Sequence, residues 1–268
     1  MIYLARSQRS SVVEQRFRKP SVVSSTLTAG SDEGSFMIKA VFFDFYNTLV
    51  DYDPPREETQ AKLLGEMGIK ITPKELLRPI MLADDFLFKE HSRQSLAKRS
   101  KEETAALYGR YHGIVLKEAG LEASTELIAT ILKKWLAIDL KMVLYDDVAP
   151  ALDKLKEQGL TLGLISNVDH DISAVYEELG LPDWLRVMIT SNDVGFNKPH
   201  PEIFRAALKQ AGVKPAEAIY VGDQYEIDVV GANGVGMRGI LIDRHDFFGD
   251  VTDSPRIRSF AEITRHLD

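Results

Sequence analysis

The sequence predicts an α/β fold, a parallel sheet flanked by helices, with an all-helical segment inserted after the first strand. Three observations predict it. The chain opens its patterned part with Ile-Lys-Ala-Val-Phe-Phe from Ile38, an apolar run that stops abruptly at Asp44. A short aromatic and β-branched run bounded by turn residues suits a strand buried on both faces, as in a parallel sheet. From Asp147 onward, strand-like and helix-like patterns alternate, which argues for right-handed βαβ units. Between the two, residues 56 to 140 carry helical periodicity and helix caps with no strand-like run.

Taken in order, the first strand delivers Asp44 to the carboxyl edge of the sheet, where open α/β sheets bind their ligands. Asn47, Thr48, Asp51, Asp53, Pro54 and Pro55 then read as turn chemistry. Helices are expected near 56 to 67, 73 to 91, 101 to 119 and 125 to 139, with Gly68 and Gly120 as stops. Thr72-Pro73-Lys74-Glu75 and Ser100-Lys101-Glu102-Glu103 are capping boxes that mark two of the starts. Phe86, Phe88, Tyr108, Tyr111 and Trp135 recur at helical spacing and read as the core of this insertion rather than as a substrate pocket. A helix over 148 to 158 and a strand over 160 to 165 bring the chain to Ser166 and Asn167, with Asp169 placed to cap the next helix. A short strand near 186 to 190 leads through Ser191 and a loop, Gly195-Phe196-Asn197-Lys198-Pro199, to a helix over 201 to 211. A strand over 218 to 222 delivers Asp223, a helix over 226 to 235 carries Asp228, and a strand over 239 to 242 precedes a closing helix near 259 to 267.

The 268 residues suffice for one large domain or for a core domain carrying a smaller one. An apolar share of 44% and a charged share of 27%, with no run long enough to span a bilayer, indicate a soluble, cytoplasmic protein with no membrane partner. The absence of cysteine excludes disulfides, thiolate metal sites and cysteine nucleophiles, so any metal is held by oxygen or imidazole. A formal charge of -7 argues against nucleic acid as a partner.

Residues 1 to 36 differ in composition from the rest, being rich in Ser and Arg without sustained periodicity, and are set apart from the fold as a disordered or spurious extension. A transit peptide and a disordered tail both fit that composition. The run Ser-Ser-Val-Val-Glu-Gln-Arg-Phe-Arg-Lys-Pro-Ser-Val-Val resembles what results when a transfer-RNA gene is translated by mistake. Met37 is then the expected start. The expected division is therefore 37–50 with 146–268 as the core and 51–145 as the helical insertion.

Asp44, Ser166 and Asp223 each end an apolar strand, and Lys198 sits in a loop between strand and helix. Parallel strands bring such ends together. Singly each has an ordinary alternative as a cap or a solvated lysine. Together they form a site of two or three carboxylates, which is self-repelling because each like charge disfavours ionisation of its neighbour. A divalent cation relieves the repulsion, and carboxylate oxygens with waters suit Mg²⁺, the usual metal of phosphate chemistry. Phosphoryl transfer uses these parts: a carboxylate nucleophile, a cation and lysine to neutralise the transferred group, and a hydroxyl to orient it.

The arrangement resembles the haloacid dehalogenase (HAD) superfamily of hydrolases. Its four motifs match Asp44-Phe45-Tyr46-Asn47-Thr48-Leu49-Val50, Ile165-Ser166-Asn167, Asn197-Lys198-Pro199-His200-Pro201 and Gly222-Asp223-Gln224-Tyr225-Glu226-Ile227-Asp228, in that order. The resemblance implies a Rossmann-like core with the insertion as a mobile cap. It also implies Asp44 as nucleophile, Thr48 as support of its loop, Ser166, Asn167 and Lys198 as the groups holding the phosphate or intermediate, and Asp223 and Asp228 at Mg²⁺. The implied substrate is a small phosphorylated metabolite.

One position departs from the phosphatase pattern. Phosphatases of the family place a second Asp two residues after the nucleophile, where it protonates the leaving oxygen and activates water. Here that residue is Tyr46. Its main-chain carbonyl can still serve Mg²⁺, but a phenol is a weak general base at neutral pH. A Tyr at this point is what 2-haloacid dehalogenases of the superfamily carry, and these need no metal, so metal-free dehalogenation is the rival reading. The Gly222-Asp223 and Asp228 pattern is the metal-binding, phosphatase-like form and favours the phosphatase. A third reading, a silent binding or regulatory module, takes Tyr46 as the trace of lost turnover. Weaker signals have ordinary readings: Gly231, Gly234 and Gly236 as close packing, His170 and Asp171 as capping, and Arg78, His91 and Arg93 as a solvated face.

Overall fold

The computed structural model describes residues 37 to 267, so the expectations for residues 1 to 36 lie outside the described residues. The expected parallel sheet is present. Six strands run in the order β5-β4-β1-β6-β7-β8, every neighbouring pair parallel. They are β1 (Ala40–Phe43), β4 (Thr161–Ser166), β5 (Val187–Thr190), β6 (Ala218–Gly222), β7 (Arg238–Ile242) and β8 (Arg256–Ile257).

Strand β1 lies at the centre and is wholly buried. Its side chains alternate between the faces. Val41 and Phe43 join one apolar layer with Leu152 and Leu164, and Ala40 and Phe42 join the other with Phe204 and Tyr220. Two-sided burial is why this strand reads as a continuous apolar run rather than an alternating one. Truncating Phe43 in such a layer costs about 3 to 5 kcal/mol.

Helices α5 (Val148–Glu157), α6 (Ser173–Glu178), α7 (Ser191–Val194), α8 (Pro201–Ala211) and α9 (Val230–Asn233) connect the strands. Between β1 and α5 the chain builds α1 (Arg56–Glu66), α2 (Pro73–Arg93), α3 (Lys101–Glu118) and α4 (Thr125–Trp135). The two capping boxes form as expected, with Thr72 and Ser100 each exchanging bonds with the glutamate three residues on. This insertion has an apolar cluster of its own, including Leu64, Leu76, Tyr111, Leu116 and Ile131. Among the described residues no helix is long and apolar enough to cross a membrane.

The structure corrects several expectations. The insertion is not all-helical: β2 (Val50–Asp53) and β3 (Lys141–Leu144) pair antiparallel at its foot, where turn chemistry was expected. Asp53 faces Lys141 and Val50 faces Leu144 across that ribbon, pairings between distant segments. Helix α4 stops at Trp135 instead of 139, because the chain must turn to begin β3. Ser191 begins the short helix α7, capped by Thr190, rather than a loop. The helix expected over 226 to 235 opens as a π-turn over Tyr225–Val229 before α9. Strand β8 was not foreseen, and the closing segment Phe260–His266 winds as a 3₁₀ helix. Asp169 does not cap the helix after it, whose N-cap, Ile172, offers no side-chain bond; Asp171 Oδ1 instead accepts from Ser173 N at 2.9 Å in the turn before it.

Candidate active site

The carboxyl ends of β1, β4 and β6 carry Asp44, Ser166 and Asp223 to one edge of the sheet, as their strand-end positions require. The loop after β5 brings Lys198 to the same place. Its ammonium is buried between two carboxylates, 2.5 Å from Asp44 Oδ1 and 2.7 Å from Asp228 Oδ1, and donates to Tyr220 Oη at 2.7 Å. Asp44, Lys198 and Asp228 are 7%, 2% and 1% exposed. Carboxylate oxygens of Asp44, Asp223 and Asp228 all lie within 4.8 Å of one another.

The local sequence explains the placement of Asp228. The π-turn lets Asp228 fold back, its Oδ2 accepting from Gln224 N at 3.0 Å and its main-chain N donating to Gln224 O at 2.8 Å. Gly222 makes room for it, since a Cβ there would stand 2.3 Å from Asp228 Oδ2. Asp223 is half-buried and takes its bonds from neutral groups: Gln224 Nε2 at 2.9 Å, Asn47 Nδ2 at 3.3 Å and Thr48 Oγ1 at 3.4 Å. Asn47 is itself held by Arg56, which forms a two-pronged pair with the buried Asp84 at 2.8 and 2.9 Å.

Three carboxylates around one ammonium leave an excess of negative charge, and the protonation behaviour follows. Burial raises the Asp44 carboxyl, Lys198 pulls it back and Asp228 pushes it up again, leaving it at about 6. Burial, then the charges of Asp44 and Asp228, push Asp223 well above the usual carboxylate range. Burial alone would lower Lys198, but Asp228 and Asp44 hold it above its ordinary value. A divalent cation held by carboxylate oxygens fits this donor set, because it supplies the positive charge that the cluster lacks.

Tyr46 stands two residues after Asp44 with its ring edge-on to Phe45, centroids 4.9 Å apart. Burial, and then Tyr52, Tyr176 and Asp44, push its phenol well above 10, so it keeps its proton at neutral pH. Ser166 Oγ is buried with no hydrogen-bond partner among the described residues. Asn167 is already committed: it accepts from Lys198 N at 2.7 Å and donates to Lys198 O at 3.1 Å, fastening the second loop to the third.

Asp44, Thr48, Asn167, Lys198, Asp223 and Asp228 are thus joined by hydrogen bonds and short carboxylate distances, with Ser166 at the neighbouring strand end and Tyr46 two residues past Asp44. Tyr220 was missed, although it sits under the ammonium and donates to Ile165 O at 3.0 Å. Its apolar strand context concealed it. The insertion also reaches the core loops through the end of α2. Asp169 accepts from Leu96 N at 2.7 Å and Ser95 Oγ at 2.5 Å and pairs with His91 at 2.9 Å. Asn197 donates to His91 O at 2.9 Å, and Lys89 pairs with Glu226 at 2.9 Å.

Comparison with known proteins agrees with this geometry. The chain is 31% identical over 81% of its length to the ribulose-1,5-bisphosphate 5-phosphatase of Halopiger xanaduensis, covering 90% of that protein. It is 30% identical over 78% of its length to the glyceraldehyde 3-phosphate phosphatase of Methanopyrus kandleri, covering 85% of it. Among solved structures, a HAD phosphatase from Thermococcus onnurineus superposes with a TM-score of 0.52 at 27% identity, over 86% of this chain and 98% of that one. The family profile of haloacid dehalogenase-like hydrolases matches residues 38–236, and the chain belongs to that family.

Proposed function

We propose that the chain is a Mg²⁺-dependent phosphatase of small phosphorylated metabolites that works through an aspartyl phosphate on Asp44. The observation that carries the reading is the cluster of Asp44, Asp223 and Asp228 around the single ammonium of Lys198, which is short of positive charge. The relatives named as sugar phosphatases support the substrate class. Asp44, Asp223, Asp228 and the Tyr46 main-chain carbonyl would hold Mg²⁺. Bound there, the metal supplies neutralisation of phosphoryl charge.

Lys198 holds Asp44 in place, and with Ser166 Oγ it orients the phosphoryl oxygens. An Asp44 carboxylate oxygen forms a bond to phosphorus as the ester P–O bond breaks. The bond pair leaves on the substrate oxygen, which then takes a proton. Water next adds to the phosphorus of the aspartyl phosphate, the bond to Asp44 breaks, and inorganic phosphate departs with the carboxylate restored. Tyr46, holding its own proton, donates a hydrogen bond near the leaving oxygen and cannot serve as the base that activates water. Thr48 anchors the loop, its hydroxyl on Asp223 and its carbonyl accepting from Arg244 at 3.0 Å.

Tyr46 also supports a second reading, a 2-haloacid dehalogenase in which Asp44 displaces halide without a metal. A panel of phosphate esters and 2-haloacids, each with and without Mg²⁺, separates the two. Mg²⁺-dependent phosphate release is expected. Metal-independent halide release supports the second reading instead.

A further inference from the structure

Asn47 turns the chain just after β1 with a φ of 57°, a left-handed backbone that glycine adopts at least cost and asparagine tolerates. The turn alone would accept glycine. What asparagine adds is a side-chain amide with polar contacts to Arg56, Asp84 and Asp223. Its Oδ1 accepts from Arg56 Nη2 at 2.9 Å, and its Nδ2 donates to Asp84 Oδ2 and to Asp223 Oδ2, each at 3.3 Å. A guanidinium only donates and a carboxylate accepts, so a single orientation of the amide satisfies all of these contacts. Arg56 therefore decides which end of the amide faces Asp223.

Arg56 is itself held in plane. Its terminal nitrogens reach Asp84 Oδ1 at 2.9 Å and Oδ2 at 2.8 Å, and Tyr111 Oη donates to Asp84 Oδ1 at 3.1 Å. A buried ion pair adds little net stability over an apolar pair of similar volume, but its two-pronged geometry fixes a direction. The contacts thus run from α3 through α2 and α1 to the loop after β1, and they end on Asp223. Within the carboxylate cluster Lys198 ties Asp44 and Asp228, whereas Asp223 takes its bonds from Gln224, Asn47 and Thr48. These donors are neutral, so they orient the carboxylate and leave its charge for a cation. Gln224 and Thr48 belong to the core loops, and Asn47 is the donor joined to the insertion. Asn47, Arg56, Asp84 and Asp223 together line one cavity of about 370 Å³, room for a hydrated cation on this side of the carboxylate.

We propose that Asn47, Arg56 and Asp84 are positioning residues that hold Asp223 in the orientation a divalent cation requires, so that the core's affinity for the cation depends on α1 and α2 of the insertion. Arg56 and Asp84 touch neither the cation nor the substrate in this account; they act through the Asn47 amide. This inference rests on the assignment of Asp223 to Mg²⁺ and deepens it.

The test titrates Mg²⁺ into the full chain by calorimetry and follows Tm in parallel, both without turnover. Asn47→Gly keeps the left-handed turn and removes the amide, and its Kd for Mg²⁺ is expected to rise about tenfold, the usual scale for a partner that orients a metal ligand. Arg56→Met combined with Asp84→Leu removes both charges together, so that neither is left buried alone, and is expected to raise Kd about three- to tenfold. All the substitutions together are expected to match Asn47→Gly, because they act through the same amide. Should the Arg56→Met, Asp84→Leu protein fail to fold, Arg56→Lys takes its place, keeping the charge and losing the fork, with the same direction of change expected. A Kd in Asn47→Gly within about twofold of the wild type, or effects that add when combined, overturns this inference and leaves the metal assignment standing. A wild type that shows neither a binding heat nor a Tm response to Mg²⁺ overturns the metal assignment, and this inference with it.

Discussion

Asp44 and Tyr46 stand two residues apart, and the proposed mechanism divides the chemistry between them. Asp44 ends a buried strand beside a buried ammonium, which aims its carboxylate and offsets part of the rise that burial imposes on it. In the proposed mechanism Tyr46 takes the place from which a proton would be delivered, and burial holds its own proton too tightly for that exchange. Restoring a carboxyl there is therefore expected to raise phosphatase turnover. In Tyr46→Asp, kcat on an alkyl phosphate should increase, by up to about 10² to 10⁴, the usual contribution of general acid-base catalysis. The gain should be smaller on p-nitrophenyl phosphate, whose leaving group needs no proton. Steady-state rates on the two substrates check it, and no rise on the alkyl ester contradicts the role given to this side chain. Both positions were legible in the sequence, because a strand that ends in an acid announces its own last residue. Tyr176 and Tyr220 were not legible. The first is an aromatic at helical spacing and the second an aromatic in an apolar strand, and only the fold shows that the Tyr176 hydroxyl is buried without a partner among the described residues and that the Tyr220 hydroxyl meets Lys198.

At the scale of elements, legibility followed the range of the interactions. Helix α8 and strand β6 begin and end where their caps, prolines and glycines say, since those signals are local. The β2–β3 ribbon pairs segments that the whole insertion separates in sequence, and the π-turn at Tyr225–Val229 seats Asp228 against Gly222. Helix α3 carries a further consequence. His112 is fully buried against Tyr111 and Trp135, neither ring nitrogen has a hydrogen-bond partner among the described residues, and burial lowers it to about 4. An unfolded histidine titrates near 6.5. Stability is therefore unaffected by this group above about pH 6.5 and declines as pH falls toward 4, by about 3 kcal/mol in all. Denaturant unfolding at pH 7.5 and 4.5 should show that loss in the wild type and a smaller one in His112→Leu. Equal losses in both proteins contradict it.

For the whole molecule, the parallel sheet gathers Asp44, Asp223 and Asp228 from segments far apart in sequence, and the fold bears the repulsion among them. Mg²⁺ should therefore bind the folded state and stabilise it independently of turnover. At a hundredfold excess over its Kd the gain is about 2.7 kcal/mol, a rise in Tm of roughly 5 to 10 °C for a chain of this size. Asp223→Asn should melt no lower than the metal-free wild type, because it removes one of the repelling charges, and its Tm should barely respond to Mg²⁺. A metal shift retained in that variant contradicts the assignment of Asp223 to the metal.

The central claim is that the phosphoryl group passes through Asp44. Acid quenching during turnover of a phosphate ester with Mg²⁺, followed by peptide mass analysis, tests it most directly. A phosphate-sized mass on the peptide containing Asp44 is predicted, with its loss, and the loss of turnover, in Asp44→Asn. Turnover that persists in Asp44→Asn, or a phosphate adduct on another residue, would contradict the account.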